Sequence, residues 1–326
     1  MKKFVFLLLS CLLIFTAGCS QTVQPGSSLA ASSGTSSAGE SAVTSDSTSS
    51  ATSSSASSSV SKPVGTSSNG SSKPGKTGSF PAQSDASVPP QAETVTVTIP
   101  EGYTLAKIAN KMEAVGVCKK ADFIKCAQSY DFSYYPLVKS MASSSKRAYK
   151  LEGYLYPDTY TLYKNMKPQD VIGKFLRNAG QRISGNYSYS GMTTDQIVTL
   201  ASIIEKEADD SADMKLISAV FHNRLKQGMK IQADSTIYYC TGCLLSPNGP
   251  FSDNYKYYYN TYRCAALPAG PICNPGAAAL SAAANPASSN YLYFFTKGGK
   301  YYYQKTLEEH QAKLKELGMA SDSSAA

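Results

Sequence analysis

The chain has 326 residues, a formal net charge of +8, 23 tyrosines and no tryptophan. Its positive charge is diffuse, which excludes the clustered Lys/Arg face of a nucleic-acid binder and suits an anionic wall or lipid surface. With two histidines, no HExxH, no phosphate-cradling glycine loop and no GxSxG, the usual zinc-hydrolase, phosphate-loop and serine-elbow chemistries are excluded as well.

Residues 1–18 read as a signal peptide: Met1-Lys2-Lys3, an apolar run from Phe4 to Phe15, then Thr16-Ala17-Gly18 before Cys19. Small residues directly ahead of a cysteine resemble the lipobox of bacterial lipoproteins, which implies cleavage before Cys19 and its acylation. Several acyl chains hold a protein firmly to a membrane, at about 0.8 kcal/mol per buried methylene. The simpler alternative is cleavage near Ala17 and free secretion. Residues 19–92 are Ser, Thr, Ala, Gly and Pro with few large apolar side chains. Such a stretch cannot offset its own ordering entropy and is expected to be a disordered spacer. Residues 321–326 are expected to be a disordered tail.

Order is expected from residue 93. The β-branched alternation Thr94–Ile99 predicts a strand. Pro100-Glu101-Gly102 is a turn, and Thr104 is placed to cap a helix whose apolar positions are Leu105, Ile108, Ala109 and Met112. A second helix is predicted from Ala121 to Ser129. Strand, helix, helix over 93–145 is comparable to a LysM-type glycan-binding module. Residues 146–320 form the expected larger lobe. It holds an amphipathic helix over Met166–Ile183, a helix opened by the capping box Thr193-x-x-Gln196, and a third over Asp213–Gln227 ended by Gly228. Beyond Gln232 the sequence predicts long loops and short strands, the strand Tyr291–Thr296, and a last helix from Thr306 to Leu317. Central helices with strands around them make the fold class α+β.

Six cysteines follow Cys19: Cys118, Cys126, Cys240, Cys243, Cys264 and Cys273. An even number in an exported chain predicts disulfides, with Cys118–Cys126, Cys240–Cys243 and Cys264–Cys273 as the pairs near in sequence. The rival is a zinc site from Cys240, Cys243, Cys264 and Cys273, for which the second spacing is wide.

With other chemistries excluded, carboxylates are the catalytic candidates. Glu205 and Glu207 stand at the C-terminal end of a strongly apolar helix, flanking its apolar stripe while Lys206 points outward. Partial desolvation and the negative helix end both disfavour ionisation, and a general acid working at neutral pH needs that shift. Helical geometry does not choose between the two, and a solvated helix end with a salt bridge to Lys206 fits the same residues.

Several separated segments resemble the endolytic murein transglycosylases of the YceG-like (MltG-like) family, in that family's order and spanning Thr94 to Leu317. They are Leu151–Tyr160, Leu200–Ala208, Val220–Met229, Gln232-Ala-Asp234, Tyr259–Tyr262, Leu267–Ile272, Asn274-Pro-Gly276 and Tyr291–Phe294, with His310 in the last helix. The resemblance implies a lysozyme-like α+β catalytic lobe and a lyase that cuts peptidoglycan between MurNAc and GlcNAc with a single glutamate. It places the acid in the Glu-Lys-Glu segment. Glu207, which precedes a small residue as in other lytic transglycosylases, is the expected acid, with Glu205 the alternative and otherwise a support or a partner of Arg224. Asn223, Gln232, Asp234, Asn260 and Tyr262 are implied as substrate contacts, though Asn260 also sits in turn-like sequence. Tyr154, Tyr156 and Tyr160 fit a sugar-stacking floor or the core equally. No metal or organic cofactor is implied. The implied partners are glycan strands, the membrane through a lipid anchor, and cell-wall synthesis proteins, on the extracytoplasmic face of the membrane. Ser235 departs from the family's usual proline, the Cys19 anchor from its usual transmembrane helix, and Cys240–Cys243 from a cysteine-free loop. A non-catalytic wall-binding protein and a hydrolytic muramidase using Asp234 as second carboxylate are the alternatives.

Overall fold

The structure, a computed structural model, describes residues 92–244, 251 and 254–319. All of these lie in the compact unit Lys73–Ala326. The expected signal peptide, the Cys19 anchor, most of the spacer and the 321–326 tail lie outside the described residues.

The first strand, β1 (Thr94–Thr98), opens the described chain. Thr104 then caps α1 (Leu105–Ala114) by accepting from the Lys107 amide, and Leu105, Ile108, Ala109 and Met112 are its buried face. Helix α2 (Lys120–Ser129) follows, burying Phe123 and Ala127, and then the single turn α3 (Pro136–Lys139). The partner of β1 is β2 (Thr159–Tyr163), antiparallel and in register from Thr94↔Tyr163 to Thr98↔Thr159. Strand, helix and helix are thus as expected for 93–145, and the strand that completes their sheet comes from beyond residue 145. Helix α4 (Pro168–Ile183) packs on α2 and α3 through Val171, Ile172, Phe175, Leu176 and Ala179.

The second half is built around α5 (Thr194–Glu207). Its capping box closes in both directions: Thr193 Oγ1 accepts from the Gln196 amide, and Gln196 Oε1 accepts from the Thr193 amide. Residues 197–204 of α5 are all buried, because helices cover it on several sides. These are α6 (Ser211–Lys226), α7 (Asp234–Tyr239) and α9 (Ala277–Ala284). A π-helical turn, Cys240–Leu244, continues α7, and α8 (Asn254–Tyr259) returns beside it. Strands β3 (Tyr293–Lys297) and β4 (Lys300–Gln304) form a hairpin joined by Gly298-Gly299. Both glycines have positive φ, which a two-residue turn between twisted strands demands. Helix α10 (Leu307–Glu316) ends the fold behind a second capping box, Thr306 with Glu309.

Mixed helix and strand confirms α+β. The region beyond Gln232 is corrected: α7, the π-helical turn, α8, α9 and β4 occupy much of what reads in sequence as loop. The disulfides are corrected too, since all six described cysteines are free thiols. Cys118 precedes α2 whereas Cys126 lies within it, and both thiols are free. Cys240 and Cys243 share one π-helical turn, with Cys240 Sγ turned to the Tyr255 carbonyl. Cys273 Sγ donates to the Ser202 carbonyl at 3.2 Å while Cys264 Sγ faces the Ala266 carbonyl. Burial pushes the Cys118, Cys126 and Cys240 thiols up to about 11 and Cys243 to about 12. They are therefore protonated at neutral pH. Among the described residues no group of three His, Cys, Asp or Glu side chains converges as a metal site would. No described helix is long and apolar enough to cross a membrane.

Candidate functional site

The two glutamates at the end of α5 meet different surroundings. Glu205 Oε2 accepts from the Gly276 amide at 3.1 Å, at the entrance to α9. Burial, with the Glu101 charge adding to it and the Gly276 amide opposing it, pushes Glu205 up to about 7. Glu207 turns the other way, toward the start of α7. Its Oε1 is closed off from solvent and has no hydrogen-bond partner, and the same is true of Ser235 Oγ. Burial is the main cause that pushes Glu207 up to about 6, and the neighbouring Asp234 charge adds to it. The hydroxyl and amide of Ser235 lie against the carboxyl and favour its ionised form, without reaching full hydrogen-bond geometry at Oε1.

Around Glu207 the sequence-predicted residues Asp234 and Tyr262 come together, with Gln232 two residues before Asp234. Tyr262 donates its hydroxyl to Asp234 Oδ1 at 2.7 Å, and burial raises its own pKa, with Asp234 and Glu207 contributing. Gln232 holds a positive φ of 54°, uncommon outside glycine, and its Oε1 accepts from Arg224 Nη1 at 3.0 Å. Arg224 also donates to the carbonyls of Lys230, Ile231 and Leu292, and its guanidinium lies over the Tyr293 ring. It is a clamp on the loop before α7 and does not pair with Glu205, which corrects that expected partnership. The backbone end of the site is fixed as well: Tyr301 of β4 donates to the Glu207 carbonyl at 2.6 Å.

Other candidates are used elsewhere. Asn223 spends both amide hydrogens on the carbonyls of Ser289 and Tyr291. Asn260 Oδ1 accepts from the Tyr262 amide, the local turn bond its residue type favours. Tyr154 is 1% exposed and donates to Asp195 Oδ1 at 2.5 Å, so neither face of its ring is open to a sugar. Tyr156 and Tyr160 are also buried, which decides the stacking floor in favour of the core. Asp195 is paired with the buried Arg147 at 2.6 Å.

A third raised carboxyl, Glu152, was quoted in sequence only as part of a motif. It is wholly buried and accepts from the Leu105 amide (2.8 Å), the Tyr239 hydroxyl (3.0 Å) and the Asn274 amide group (3.3 Å). Burial pushes it up to about 7 against these donors. Asn274 extends the network, accepting from Leu155 N at 2.7 Å and donating to the Tyr103 carbonyl at 2.8 Å. No spacing signal marks Glu152, because its partners come from α1, α7 and the loop before α9.

A hollow of about 420 Å³ lies at the other end of α5, against Asp195, Thr199 and Leu267, and an open groove of about 380 Å³ runs between β2 and α4.

The described residues form an α+β unit whose buried central helix ends on two glutamates, one with a shielded, unpartnered oxygen. The chain belongs to the YceG-like family, whose model matches residues 81–316. It is 32% identical over 250 residues to the endolytic murein transglycosylase of Streptococcus pneumoniae strain D39, covering 70% of this chain and 45% of that protein. It is 30% identical over 243 residues to the endolytic murein transglycosylase of Bacillus subtilis strain 168, covering 69% of this chain and 65% of that one. The chain thus spans about half to two thirds of the length of these curated relatives. The crystal structure of a yceG-like protein from Listeria monocytogenes is also similar, with a TM-score of 0.57 at 34% identity over 67% of this chain and 75% of that one.

Proposed function

We propose that the chain is an endolytic lytic transglycosylase of peptidoglycan, with Glu207 as its one acid and base. The observation that carries this reading is the Glu207 carboxyl, with an oxygen that is shielded from water and has no hydrogen-bond partner. Burial, with the Asp234 charge adding to it, outweighs the Ser235 hydroxyl and amide that favour the ionised form, so the proton is held to about pH 6. A group that keeps its proton that long can deliver it to a leaving oxygen near neutral pH.

Glu207 protonates the oxygen linking MurNAc to GlcNAc, and that C–O bond breaks as positive charge builds on the MurNAc ring. The carboxylate left behind takes the proton of the same sugar's C6 hydroxyl, whose oxygen closes on C1 to give a 1,6-anhydro end. Proton count balances, Glu207 returns to its starting state, and no water is consumed. The C6 hydroxyl is tethered to the reacting ring, which supplies the high effective concentration of an intramolecular step. Gln232, Asp234 and Tyr262 bind and orient the strand. The strand–helix–helix–strand unit of β1, α1, α2 and β2 acts as a LysM-like glycan-holding lobe. The signal peptide, a lipid on Cys19 and the 19–92 spacer put this activity on the extracytoplasmic side, within reach of the wall and of its synthesis proteins.

Asp234 stands beside Glu207, which keeps a hydrolytic muramidase with two carboxyl groups as the second reading. Mass spectrometry of purified glycan strands after digestion tests both. Anhydro ends are expected. Reducing ends would replace the proposal with hydrolysis, and intact strands would replace it with binding alone.

A further inference from the structure

We propose that Tyr238 is a sugar-stacking platform that holds a pyranose ring of the glycan strand next to the bond being cut. This rests on the reading of Glu207 as the acid. Helix α7 brings Asp234 and Ser235 against the Glu207 carboxyl. Tyr238 follows Ser235 by three residues and Asp234 by four, so it stands on the same face of α7, one turn of about 5.4 Å further along.

Its exposure is what separates it from its neighbours. Tyr239, the next residue, is 5% exposed and gives its hydroxyl to Glu152. Tyr238 is 56% exposed. Among the described residues it makes no ring pair, hydrogen bond or cation contact, whereas Tyr257, of similar exposure, packs against Tyr258. The ring is thus left open to solvent one turn along α7 from the residues that meet Glu207. A pyranose offers a flat C–H face to such a ring and hydroxyls to its phenol. Two side-chain torsions make the ring a rigid platform at low ordering cost. The occupant is the strand itself, because the face is continuous with the residues around Glu207.

The absence of tryptophan allows a direct reading. In the full chain carrying Glu207→Gln to stop cutting, Tyr238→Trp introduces the sole tryptophan. Titration with peptide-free glycan strands is expected to shift and saturate its emission. In the chain that keeps Glu207, Tyr238→Ala is expected to raise KM about three- to tenfold with kcat unchanged, and Tyr238→Phe to restore KM. A silent tryptophan while strands co-sediment with the protein, or a Tyr238→Ala KM equal to that of the unaltered chain, overturns the platform. Failure of the underlying reading looks different: Glu207→Gln would then cut at full rate, whatever Tyr238 does.

Discussion

Glu152 and Glu207 are two carboxyl groups with nearly the same ionisation behaviour and opposite employment. Burial pushes one to about 7 and the other to about 6. Glu152, however, is met by an amide from α1, a phenol from α7 and the Asn274 side chain. Glu207 has only Ser235 against its carboxyl, and its Oε1 has no hydrogen-bond partner. A raised pKa therefore does not identify the acid here, and Glu205, also pushed to about 7, makes the same point. What distinguishes Glu207 is unused hydrogen-bonding capacity, which fold stability would eliminate and a reaction requires.

The largest effect expected from this contrast is on turnover. Glu207→Gln should reduce strand cleavage by about 10²–10⁴-fold without lowering the thermal midpoint, because no hydrogen bond at Oε1 is lost. Glu205→Gln should stay within about tenfold, since the Gly276 amide still finds an oxygen. Anhydro-product release and thermal melting of both variants decide it. Equal losses would remove the distinction drawn between them.

Glu152→Ala should do the reverse. It strands the Leu105 amide, the Tyr239 hydroxyl and part of Asn274 in the core, a loss on the order of 3–5 kcal/mol in denaturant unfolding. Glu152→Gln retains oxygen and shape and should cost far less.

The same carboxyls set the pH dependence. Their folded pKa values lie above the ordinary 4.5, so their contribution to stability is complete below about 4.5 and lost as pH rises through 6 and 7. For the wholly buried Glu152 the loss by pH 8 is on the order of 3 kcal/mol. Unfolding curves from pH 4 to 8 should show that slope, and Glu152→Gln should flatten it. A stability that climbs with pH over this range would contradict the burial of an acid without a matching cation.

Much of the scaffold was legible because its signals are local. The Thr104 cap, the Thr193–Gln196 box and the apolar stripe of α4 are each written within a turn or two of chain. Helix α9 was not legible. Ala277–Ala284 is small and apolar all round, so it carries no stripe, and burial against α5 and α6 is what makes it a helix. Strand β2 was missed because its partner is β1, far back in sequence, and α7 with α8 because six-residue helices rich in tyrosine have no period to detect. The pair Glu205 and Glu207 was legible, and the difference between them was not. The partner of Glu205 arrives from Gly276, while the donors around Glu207 arrive from α7 and leave one oxygen bare. No helical wheel contains either fact.

Asp234→Asn makes the smallest and sharpest test. The Asp234 charge is one of the causes holding Glu207 above the ordinary value, after burial. Removing it, while keeping an oxygen for the Tyr262 hydroxyl, should lower the Glu207 pKa. In the proposed mechanism Glu207 acts in its protonated form, so the fall of cleavage rate on the alkaline side should begin at lower pH. At the acidic plateau, where Glu207 is protonated in both proteins, the rates should agree within a few-fold. A pH–rate profile with anhydro-product detection reads both quantities at once. If Asp234 were instead the second carboxyl of a hydrolase, the plateau itself would collapse by about 10²-fold or more, with no shift of the limb to observe. A displaced limb on an intact plateau is the signature of a neighbour that tunes the acid and takes no part in the bond changes.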